Sequence, residues 1–420
     1  MINVYYWHSY KSSYCKLDTH MNIGMVLDNE FTGDMRVENE VISLQEAGFN
    51  VFVLALNHGS KESIEEYHSA KIIRLPLSLF LKKKMKGLIL TMFDFYKHYW
   101  SKHIRSFVRD YNIDVLHVHD LYMLGAAFHA KEKGKLDIPV IGDLHENYPF
   151  ALENYAFTKK FPGKYIISIP KWKAIEKVWV EQCDHVITVI EESRKRYEEL
   201  GIPQKAISVV PNYVSKNTFQ VDEIFPDIVN KYKENFVISY AGGFDYHRGI
   251  EVAIKSMPHL IKAIPHIKLV LIGEGINKNE LIELSNSLGL VDYITFEGWQ
   301  KPVYLSSFFA ASDICIIPHV KSVHTDNTIP HKLFQYMLME KAVITSNCDP
   351  FVRILDATKA GLYFTSGNHE EFASQVKHLY NNPEVRNEME KNGKQAVINT
   401  YNWEEASKQL VDLYRNIGAN

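Results

Sequence analysis

The sequence predicts an α/β protein of two doubly wound domains, each built on a parallel sheet. Short apolar runs of strand length alternate with amphipathic helical segments along most of the chain, a pattern typical of a parallel sheet covered by helices. The alternation stops at Val210-Pro211-Asn212, gives way to a polar stretch as far as about residue 235, and then restarts. This interruption predicts a domain boundary, so we expect two domains that face each other across a cleft.

The first predicted domain starts after a stretch, residues 1–20, whose aromatic and polar side chains fit neither a strand period nor a helix period. We assign that stretch no function. A buried strand then leads into a loop over residues 21–31, and the apolar spacing predicts a helix over 36–47 that Gly48 ends. Further strands are predicted near residues 51–56, 72–75, 115–117, 140–143, 185–188 and 207–210, with helices after Asp120 and after Pro170.

The second predicted domain has strands near residues 237–241, 268–272, 294–296, 314–317 and 342–345. Its most informative stretch is H-T-D-N-T-I-P-H-K-L-F-Q-Y, which precedes the last of these strands. Pro330 suits the first turn of a helix, and Asn327 and Thr328 can cap free backbone donors just before it. Lys332 and Gln335 are three residues apart and so share one helical face.

A cation, an amide and a helix N-terminus are therefore expected in one strand-end loop, and together they suit a phosphorylated, hydroxyl-rich ligand. The alternative is an ordinary amphipathic crossover helix with a solvated lysine. Two more strand-end loops fit the first interpretation. Arg248 follows a glycine pair and can reach a phosphate, while Gly273 and Glu274 end a strand where backbone amides can contact a base or ribose. A plain surface arginine and ordinary turn chemistry are the alternatives for these two loops.

Composition excludes several classes of function. The chain has 420 residues, 46% of them hydrophobic, which is enough for two sizeable cores. Its net charge of −3 argues against a general attraction to nucleic acid. The four cysteines are far apart and form no zinc or dithiol motif, so a reducing compartment is expected. No apolar run reaches the ~18 residues of a membrane span, and the first residues lack a signal-peptide core, so we expect a cytoplasmic protein.

Eight short motifs stand in order along the chain, most of them at the ends of predicted strands. They are D-V-L-H-V-H-D (114–120), D-L-H-E (143–146), V-V-P-N (209–212), G-G-F-D-Y-H-R-G (242–249), I-G-E-G (272–275), F-E-G (296–298), P-H-K-L-F-Q-Y (330–336) and Y-N-W-E (401–404). By these motifs the chain resembles the family-four retaining glycosyltransferases of the GT-B fold (glycosyl transferases group 1), from Met21 to the C-terminus. The resemblance implies a Rossmann-like acceptor-side domain over 1–212, a Rossmann-like nucleotide-sugar donor domain over 213–400, and a helix over 401–420 that crosses back to the first domain.

The resemblance also implies roles for individual residues. It places His145 in the cleft near the donor sugar and places Arg248 and Lys332 on the diphosphate, and these three are the predicted catalytic residues. Asn327 and Gln335 stand where the family has two glutamates. The predicted donor-binding residues are Gly33, Gly243, Gly273, Glu274, Gly298, Asn327, Thr328 and Gln335, and the predicted acceptor-side residues are His119, Asp120 and Glu146.

Some of these positions depart from the family's pattern. An amide at residue 335 can bind ribose hydroxyls, but without the charge-assisted hydrogen bond, which is roughly twice as strong. Gly243 stands where the family has a basic residue. Weaker donor binding is therefore expected. On the acceptor side, His117 and His119 share a strand whose alternate residues face opposite sides, so a structural role for one of them is the alternative.

The chemistry of sugar transfer follows from the charge that develops. The departing diphosphate becomes negative and the sugar becomes oxocarbenium-like, so preorganised positive charge at the leaving group gives the largest help. Arg248, Lys332 and the predicted helix N-terminus would supply it. The sequence has no Asp-x-Asp motif, so we expect a metal-independent reaction with a UDP- or GDP-type sugar donor and no other cofactor. In the retaining mechanism that the resemblance implies, the leaving phosphate accepts the acceptor's proton.

The expected function is therefore transfer of a hexose from a nucleotide-diphosphate donor to a glycan or lipid-linked saccharide, in polysaccharide assembly. Two alternatives stay open. One is a non-catalytic nucleotide-sugar-binding or scaffold protein that lost the glutamate pair, and the other is a sugar-nucleotide epimerase on the same fold.

Residues 75–109 mix aliphatic and aromatic residues with eight lysines and arginines. A basic, aromatic amphipathic stretch of this kind predicts peripheral contact with an anionic membrane at the inner face of the cell membrane. The alternative is a helix whose apolar face lies in the core and whose lysines lie in water.

Overall fold

The computed structural model describes residues 21–418, apart from 155–157, 159, 160, 162, 218, 220 and 222. The unassigned stretch at residues 1–20 lies outside the described residues. Across the described chain, strands and helices alternate to form two sheets in sequence, each with a hydrophobic cluster on both of its faces. The predicted fold class, two doubly wound α/β domains, is confirmed.

The strands of the N-terminal domain are β1 Asn22–Val26, β2 Asn50–Asn57, β3 Ile64–Tyr67, β4 Ala70–Pro76, β5 Val115–His119, β6 Val140–Leu144, β7 His185–Thr188 and β8 Ile207–Val209. Within the described residues they form one sheet in the order β3-β4-β2-β1-β5-β6-β7-β8, parallel except for the pair of β3 with β4. The helices are α1 Met35–Glu46, α2 Leu79–Lys86, α3 Phe95–Asp110, α4 Leu121–Gly134, α5 Tyr148–Asn154, α6 Gly163–Ile166, α7 Ile169–Gln182 and α8 Glu191–Glu199.

The strands of the C-terminal domain are β9 Phe236–Ala241, β10 Ile267–Ile272, β11 Ile294–Gly298, β12 Ile314–Ile317, β13 Ala342–Ser346 and β14 Gly361–Phe364. They form a parallel sheet in the order β11-β10-β9-β12-β13-β14. The helices are α9 Pro226–Tyr232, α10 Ile250–Ile261, α11 Lys278–Ser287, α12 Pro302–Ala310, α13 Lys332–Leu338, α14 Asp349–Thr358, α15 His369–Asn381 and α16 Pro383–Asn399.

The central strands of both sheets are buried along their whole length, as in β5, β6, β9, β12 and β13. Helices cover both faces, so these strands are mostly apolar and not alternating, with His117 and His119 of β5 and Asp143 of β6 as buried exceptions. These apolar stretches are the sequence pattern from which the strands were predicted. Two edge strands, β3 and β14, were not predicted, because each is four residues long and only partly buried.

The start of α13 differs from the prediction. The helix begins at Lys332, so Pro330 lies before the first turn and not in it, and no side chain caps the helix. The predicted capping by Asn327 and Thr328 is wrong, because both side chains bond to carbonyls of their own loop. The Asn327 amide donates to Val323 at 2.8 Å, and the Thr328 hydroxyl donates to His324 at 3.3 Å.

The chain crosses between the domains twice, and the two crossings touch. Val214 forms a parallel bridge with Asn402, and the Trp403 amide donates to the Val214 carbonyl at 2.9 Å. The last helix, α17 Trp403–Gly418, then packs on α1 of the first domain, where the Trp403 indole donates to the Ser43 hydroxyl at 2.9 Å.

Candidate active site

A cavity of about 490 Å³ lies in the cleft, at the carboxyl ends of strands in the first sheet. Its lining comes mostly from the loop after β1, with single residues from other loops. Those residues are Asn29, Glu30, Thr32, Gly33, Asp34, Met35, Arg36, His58, His145, Asn212 and His331. The predicted residues Gly33 and His145 are therefore brought together, and His331 is the contribution of the second domain.

The loop after β1 is held in place from both ends. Gly33 has a φ of +95°, in the left-handed region that favours glycine, and the Asp34 side chain caps the first turn of α1. Buried Arg74 of β4 donates to the Glu30 carbonyl at 3.2 Å and to the Thr32 hydroxyl at 3.1 Å. This rim of the cavity is therefore preorganised.

His145 rests on a buried network of side chains. Its ring is 22% exposed, and its Nε2 lies 3.1 Å from Asp143 Oδ2 and 3.1 Å from His119 Nδ1. His117 lies deeper, with Nε2 3.3 Å from Asp143 Oδ2 and Nδ1 2.7 Å from the Tyr414 hydroxyl of α17. The predicted acceptor-side residue His119 is thus buried beneath His145 and does not line the cavity.

Asp143 is also half of a buried ion pair. Arg36 donates to both of its carboxylate oxygens at 2.9 to 3.3 Å, and Arg36 Nη2 lies 3.0 Å from Glu40 Oε1. Burial works to raise the pKa of Asp143, but the Arg36 and His145 charges hold it well below its ordinary value. Burial raises the pKa of Glu40 well above its ordinary value.

Four ligand atoms of this cluster lie within 4.8 Å of one another, a spacing that suits a metal ion. They belong to Glu40, His117, His119 and Asp143. The positive charge among them is already supplied by Arg36, which pairs with both carboxylates. We therefore interpret the cluster as a buried support for His145.

The support sets the charge of His145. Burial works to lower its pKa, but the charge and hydrogen bond of Asp143 raise it to about 9, so the ring is an imidazolium at neutral pH. Its Nδ1 lies 3.9 Å from Asp120 Oδ1. Asp120 has a φ of +69°, and its other oxygen accepts from the Tyr122 hydroxyl at 2.7 Å. Glu146, next in sequence to His145, is half-buried.

A second group of predicted site residues lies at the glycine turns that end β9, β10 and β11, and these residues do not line the cavity of about 490 Å³. Gly273 has a φ of +141° and packs so closely that a Cβ there would lie 1.9 Å from the Gly242 carbonyl oxygen. Its amide donates to the Gly298 carbonyl at 2.8 Å. The Gly243 carbonyl accepts from the Tyr240 hydroxyl at 2.8 Å. The backbone of these turns is therefore closely packed, and the Gly273 amide is already used within them.

Replacing Gly273 by alanine is expected to disrupt these turns. The new methyl group would meet a backbone oxygen at 1.9 Å. Gly367 is the matched control, because its φ is +84° and nothing lies within 4 Å of a Cβ added there. In urea unfolding we expect Gly273→Ala to cost about 1–3 kcal/mol more than Gly367→Ala. Equal costs would contradict the close backbone approach.

Lys332 reaches the turn at Gly242, and Arg248 belongs to the loop that this turn begins. Among the residues that the structure describes, the Lys332 Nζ has no hydrogen-bond partner. It lies 3.9 Å from the centre of the Tyr240 ring, and a Cβ on Gly242 would lie 2.3 Å from it. Arg248 Nε is also buried without a partner among those residues. Burial, and then the Arg248 charge, lower the pKa of Lys332 well below its ordinary value. Buried polar groups are normally hydrogen-bonded, so these two unpartnered nitrogens make this loop a candidate for binding an anion.

Asn327 lies where the two domains meet. Its carbonyl accepts from the Ser193 hydroxyl of α8 at 3.0 Å. Nearby, Arg353 of the second domain donates from Nε and Nη2 to the Glu192 carboxylate at 2.6 and 3.0 Å. The donor-side loop is thus fixed by contacts with the first domain.

The other predicted donor residues are more peripheral. Gln335 is half-buried on α13, three residues after Lys332. Glu274 is about half exposed and pairs with Lys278. Gly298 has a φ of +68°, and a Cβ there would lie 3.3 Å from Glu274 Oε1.

Sequence reasoning missed His331 and gave no role to Asp143 or Glu40. One signal could have found the buried cluster. Arg36 and Glu40 stand four residues apart on a helix whose other inward positions are apolar except for Asn39, and a charged pair on a buried face is rarely accidental. His331 carries no such signal, because its approach to the cavity depends on how the two domains meet.

Two family models match the two domains in turn. Glycosyltransferase Family 4 matches residues 35–217, and Glycosyl transferases group 1 matches residues 221–396. The alpha-monoglucosyldiacylglycerol synthase of Acholeplasma laidlawii is 23% identical over 399 residues, covering 91% of this chain and 93% of that protein.

Solved structures share the architecture. Sucrose-phosphate synthase from Thermosynechococcus elongatus superposes with a TM-score of 0.75 at 16% identity, over 95% of this chain and all of that chain. Anabaena HepE in complex with UDP-glucose superposes with a TM-score of 0.70 at 14% identity, over 94% of this chain and all of that chain. Fold and cleft thus define a glycosyltransferase of the GT-B type. The chain belongs to the family-four glycosyltransferases (glycosyl transferases group 1), and a glycolipid synthase is among its relatives.

Proposed function

We propose that this chain is a retaining, metal-independent hexosyltransferase that uses a UDP-type sugar donor. The observation that carries the proposal is the pair of basic side chains Lys332 and Arg248. Each has a buried nitrogen without a partner among the described residues, and the Lys332 Nζ lies at the turn of Gly242. Such a pair offers the charged donors that a diphosphate needs. HepE, which shares the fold, was crystallised with UDP-glucose, and this supports uridine as the base.

In the proposed reaction the bond between the anomeric carbon and the diphosphate breaks, and negative charge develops on the leaving phosphate. Lys332 and Arg248 bind that charge, and in our proposal they do so without a metal ion. The leaving phosphate takes the proton of the acceptor hydroxyl as the new glycosidic bond forms on the same face of the sugar. Configuration is retained, and no protein nucleophile is needed.

His145 has a positioning role in this proposal. Its imidazolium lines the cavity opposite His331, where it can donate a charge-assisted hydrogen bond to a sugar hydroxyl. Asp120 and Glu146, on the same edge of the sheet, are proposed to accept from hydroxyls of the acceptor.

The donor is tested by thermal shift with UDP-, GDP-, ADP- and CMP-sugars, each with and without EDTA, because specific ligand binding raises the melting temperature. We expect a UDP-sugar to give a shift that EDTA leaves unchanged. A shift that EDTA removes would contradict metal independence. Folded protein that responds to none of the donors would favour a scaffold role.

We propose that the acceptor is lipid-linked and that α2 contacts the membrane. The basic stretch at residues 75–109 forms two helices of different kinds. The apolar face of α3 lies in the core, as the alternative interpretation expected, whereas α2 buries no residue. Leu79, Phe80 and Leu81 of α2 are 48%, 68% and 45% exposed, and Met92 before α3 is 89% exposed.

The position of α2 suits this role. Lys86 pairs at 3.1 Å with Asp28, which follows β1 at the cleft edge, so α2 lies beside the candidate site. The lysines of α2 also supply the positive charge that an anionic lipid surface attracts. None of the described helices has the length and apolar character required to cross a bilayer. We therefore propose peripheral binding at the cytoplasmic face.

Membrane contact is tested by co-sedimentation with liposomes containing phosphatidylglycerol. Phe80→Asp is expected to reduce binding several-fold, because an exposed apolar contact is replaced by a charge that anionic lipid repels. Val291→Asp is the control, since Val291 is 65% exposed on the other domain. Equal loss in the two variants, or no binding by the unaltered protein, would contradict the proposal.

A further inference from the structure

Three histidines gather around the buried cations of the donor side. His319 is buried, and its Nε2 lies 3.1 Å from Arg248 Nη1. The ring centre of His247 lies 6.2 Å from that of His319 and 5.8 Å from that of His324. These side chains come from the loops after β9 and β12, the strand ends that also carry the anion-binding turn.

The hydrogen bond between His319 and Arg248 determines the protonation state of the His319 ring. A guanidinium has only donors, so His319 Nε2 must accept from Arg248 and the His319 ring is neutral. Three further nitrogens in the group are buried without a partner. They are His324 Nδ1, Lys332 Nζ and Arg248 Nε. Hydrogen-bond acceptors are therefore scarce around these histidine, lysine and arginine side chains.

The charges around the histidines are positive. Burial and the Arg248 charge lower the pKa of His324 to about 4, and burial with Arg248, His324 and Lys332 lowers that of His247 to about 4. Burial and the same cations hold the pKa of His319 well below its ordinary value. The three rings are therefore neutral at pH 7.

Carboxylates on the neighbouring elements do not offset this charge. Asp326, in the same loop as His324, pairs with Lys321 at 3.0 Å. Asp245 precedes the short helical turn that ends in Arg248, and Glu251 lies in the first turn of α10. None of these three acids is among the charges that shift the histidine pKa values.

We propose that the three histidines belong to the diphosphate site together with Arg248 and Lys332, and that the site takes up protons when the diphosphate binds. The inference rests on the proposed function, since it needs a nucleoside diphosphate at this turn. Arg248 is the permanent cation of the group. The histidines are neutral bases, and burial lowers the pKa of Lys332, so these groups are the ones expected to take up protons beside the phosphates.

The linkage between proton binding and diphosphate binding gives the direction of the pH effect on affinity. Nearby phosphate charges raise the pKa of a base, because they favour its charged form. The complex therefore holds more protons than the free protein, and the affinity for the diphosphate falls as pH rises. For one proton taken up, the dissociation constant rises about tenfold per pH unit.

The experiment is calorimetric titration of UDP into the full chain at about pH 8, where the terminal phosphate of UDP is ionised because its pKa is ~6. Repeating the titration in buffers of different ionisation enthalpy gives the number of protons exchanged. We expect net uptake of about one proton per UDP. UDP binding without uptake would overturn this inference and leave the proposed donor site intact. Failure of the folded protein to bind UDP at all would overturn both.

Variants test which side chains take up the protons when UDP binds. Lys332→Arg keeps a cation that stays charged at every pH of the experiment, so UDP binding is retained while uptake falls. Adding His319→Gln and His324→Gln to Lys332→Arg is expected to reduce uptake further. His259→Gln is the control, because His259 lies on α10 with its ring 5.9 Å from His369 and away from the turn. Uptake that is unchanged in the triple variant would overturn the assignment.

Discussion

Lys332→Met is expected to reduce donor use strongly and to stabilise the fold. A buried amine without a partner costs free energy that folding must offset, and an unbranched methionine of similar length removes that cost. If about 1 kcal/mol is regained, the melting temperature rises by about 2–4 °C. The same change removes the positive charge that stabilises the leaving diphosphate, so kcat/KM is expected to fall about 10²–10³-fold.

The two effects are measured on one sample, by thermal melting and by sugar transfer or UDP titration. Lys262→Met is the matched control, because Lys262 is an exposed lysine of the same domain. It is expected to change neither quantity. A Lys332→Met protein that melts lower and still binds UDP as tightly as before would show that Lys332 is structural and not part of the diphosphate site.

Asp143→Asn is expected to destabilise the protein by about 3–5 kcal/mol. The carboxylate accepts from Arg36 and His145 inside the domain, so its loss leaves a buried guanidinium without its counter-charge. It also removes the cause of the raised pKa of His145, whose titration should move from about 9 towards lower pH. A raised pKa stabilises the fold below the unfolded value of ~6.5, and that contribution fades as pH rises through 9.

Urea unfolding and NMR titration of the histidine rings test this pair of effects. Glu153→Gln is the control, because it breaks an exposed ion pair with Lys173 that is worth ~0–1 kcal/mol. Combining Arg36→Met with Asp143→Asn is expected to cost less than the sum of the single changes, because the unpaired cation is gone. A cost for Asp143→Asn no larger than that of Glu153→Gln would contradict the buried charge cluster.

Much of the fold could be predicted because its central strands are buried on both faces. Strands such as β9 and β12 are continuous apolar runs, and a run of that kind is visible without any neighbour. Strand β3 could not be predicted in this way. Its residues alternate between exposed and half-buried, and it exists because β4 offers a free edge to pair with.

The candidate site was predictable only in part. Arg248 and Gly273 follow apolar strands, and such positions in an open parallel sheet are where ligands bind. The contribution of His331 and Asn212 to the cavity could not be predicted, because the cavity exists only where two separate sheets come together. Pro330 misled the prediction for a local reason. Proline suits a first helical turn, but here the turn starts two residues later and the proline ends an extended loop.

The paired crossings at Val214 and Asn402 have a mechanical consequence. Two chain segments that are bonded to each other where they pass between the domains define a single axis, and they resist twisting or sliding of one domain over the other. Rotation about that axis is the motion left to the cleft. Opening by this rotation is expected to break the contacts of Ser193 with Asn327 and of Glu192 with Arg353. Under the proposed function, release of the nucleotide product is expected to need this rotation, and turnover is then expected to depend on how fast the cleft opens.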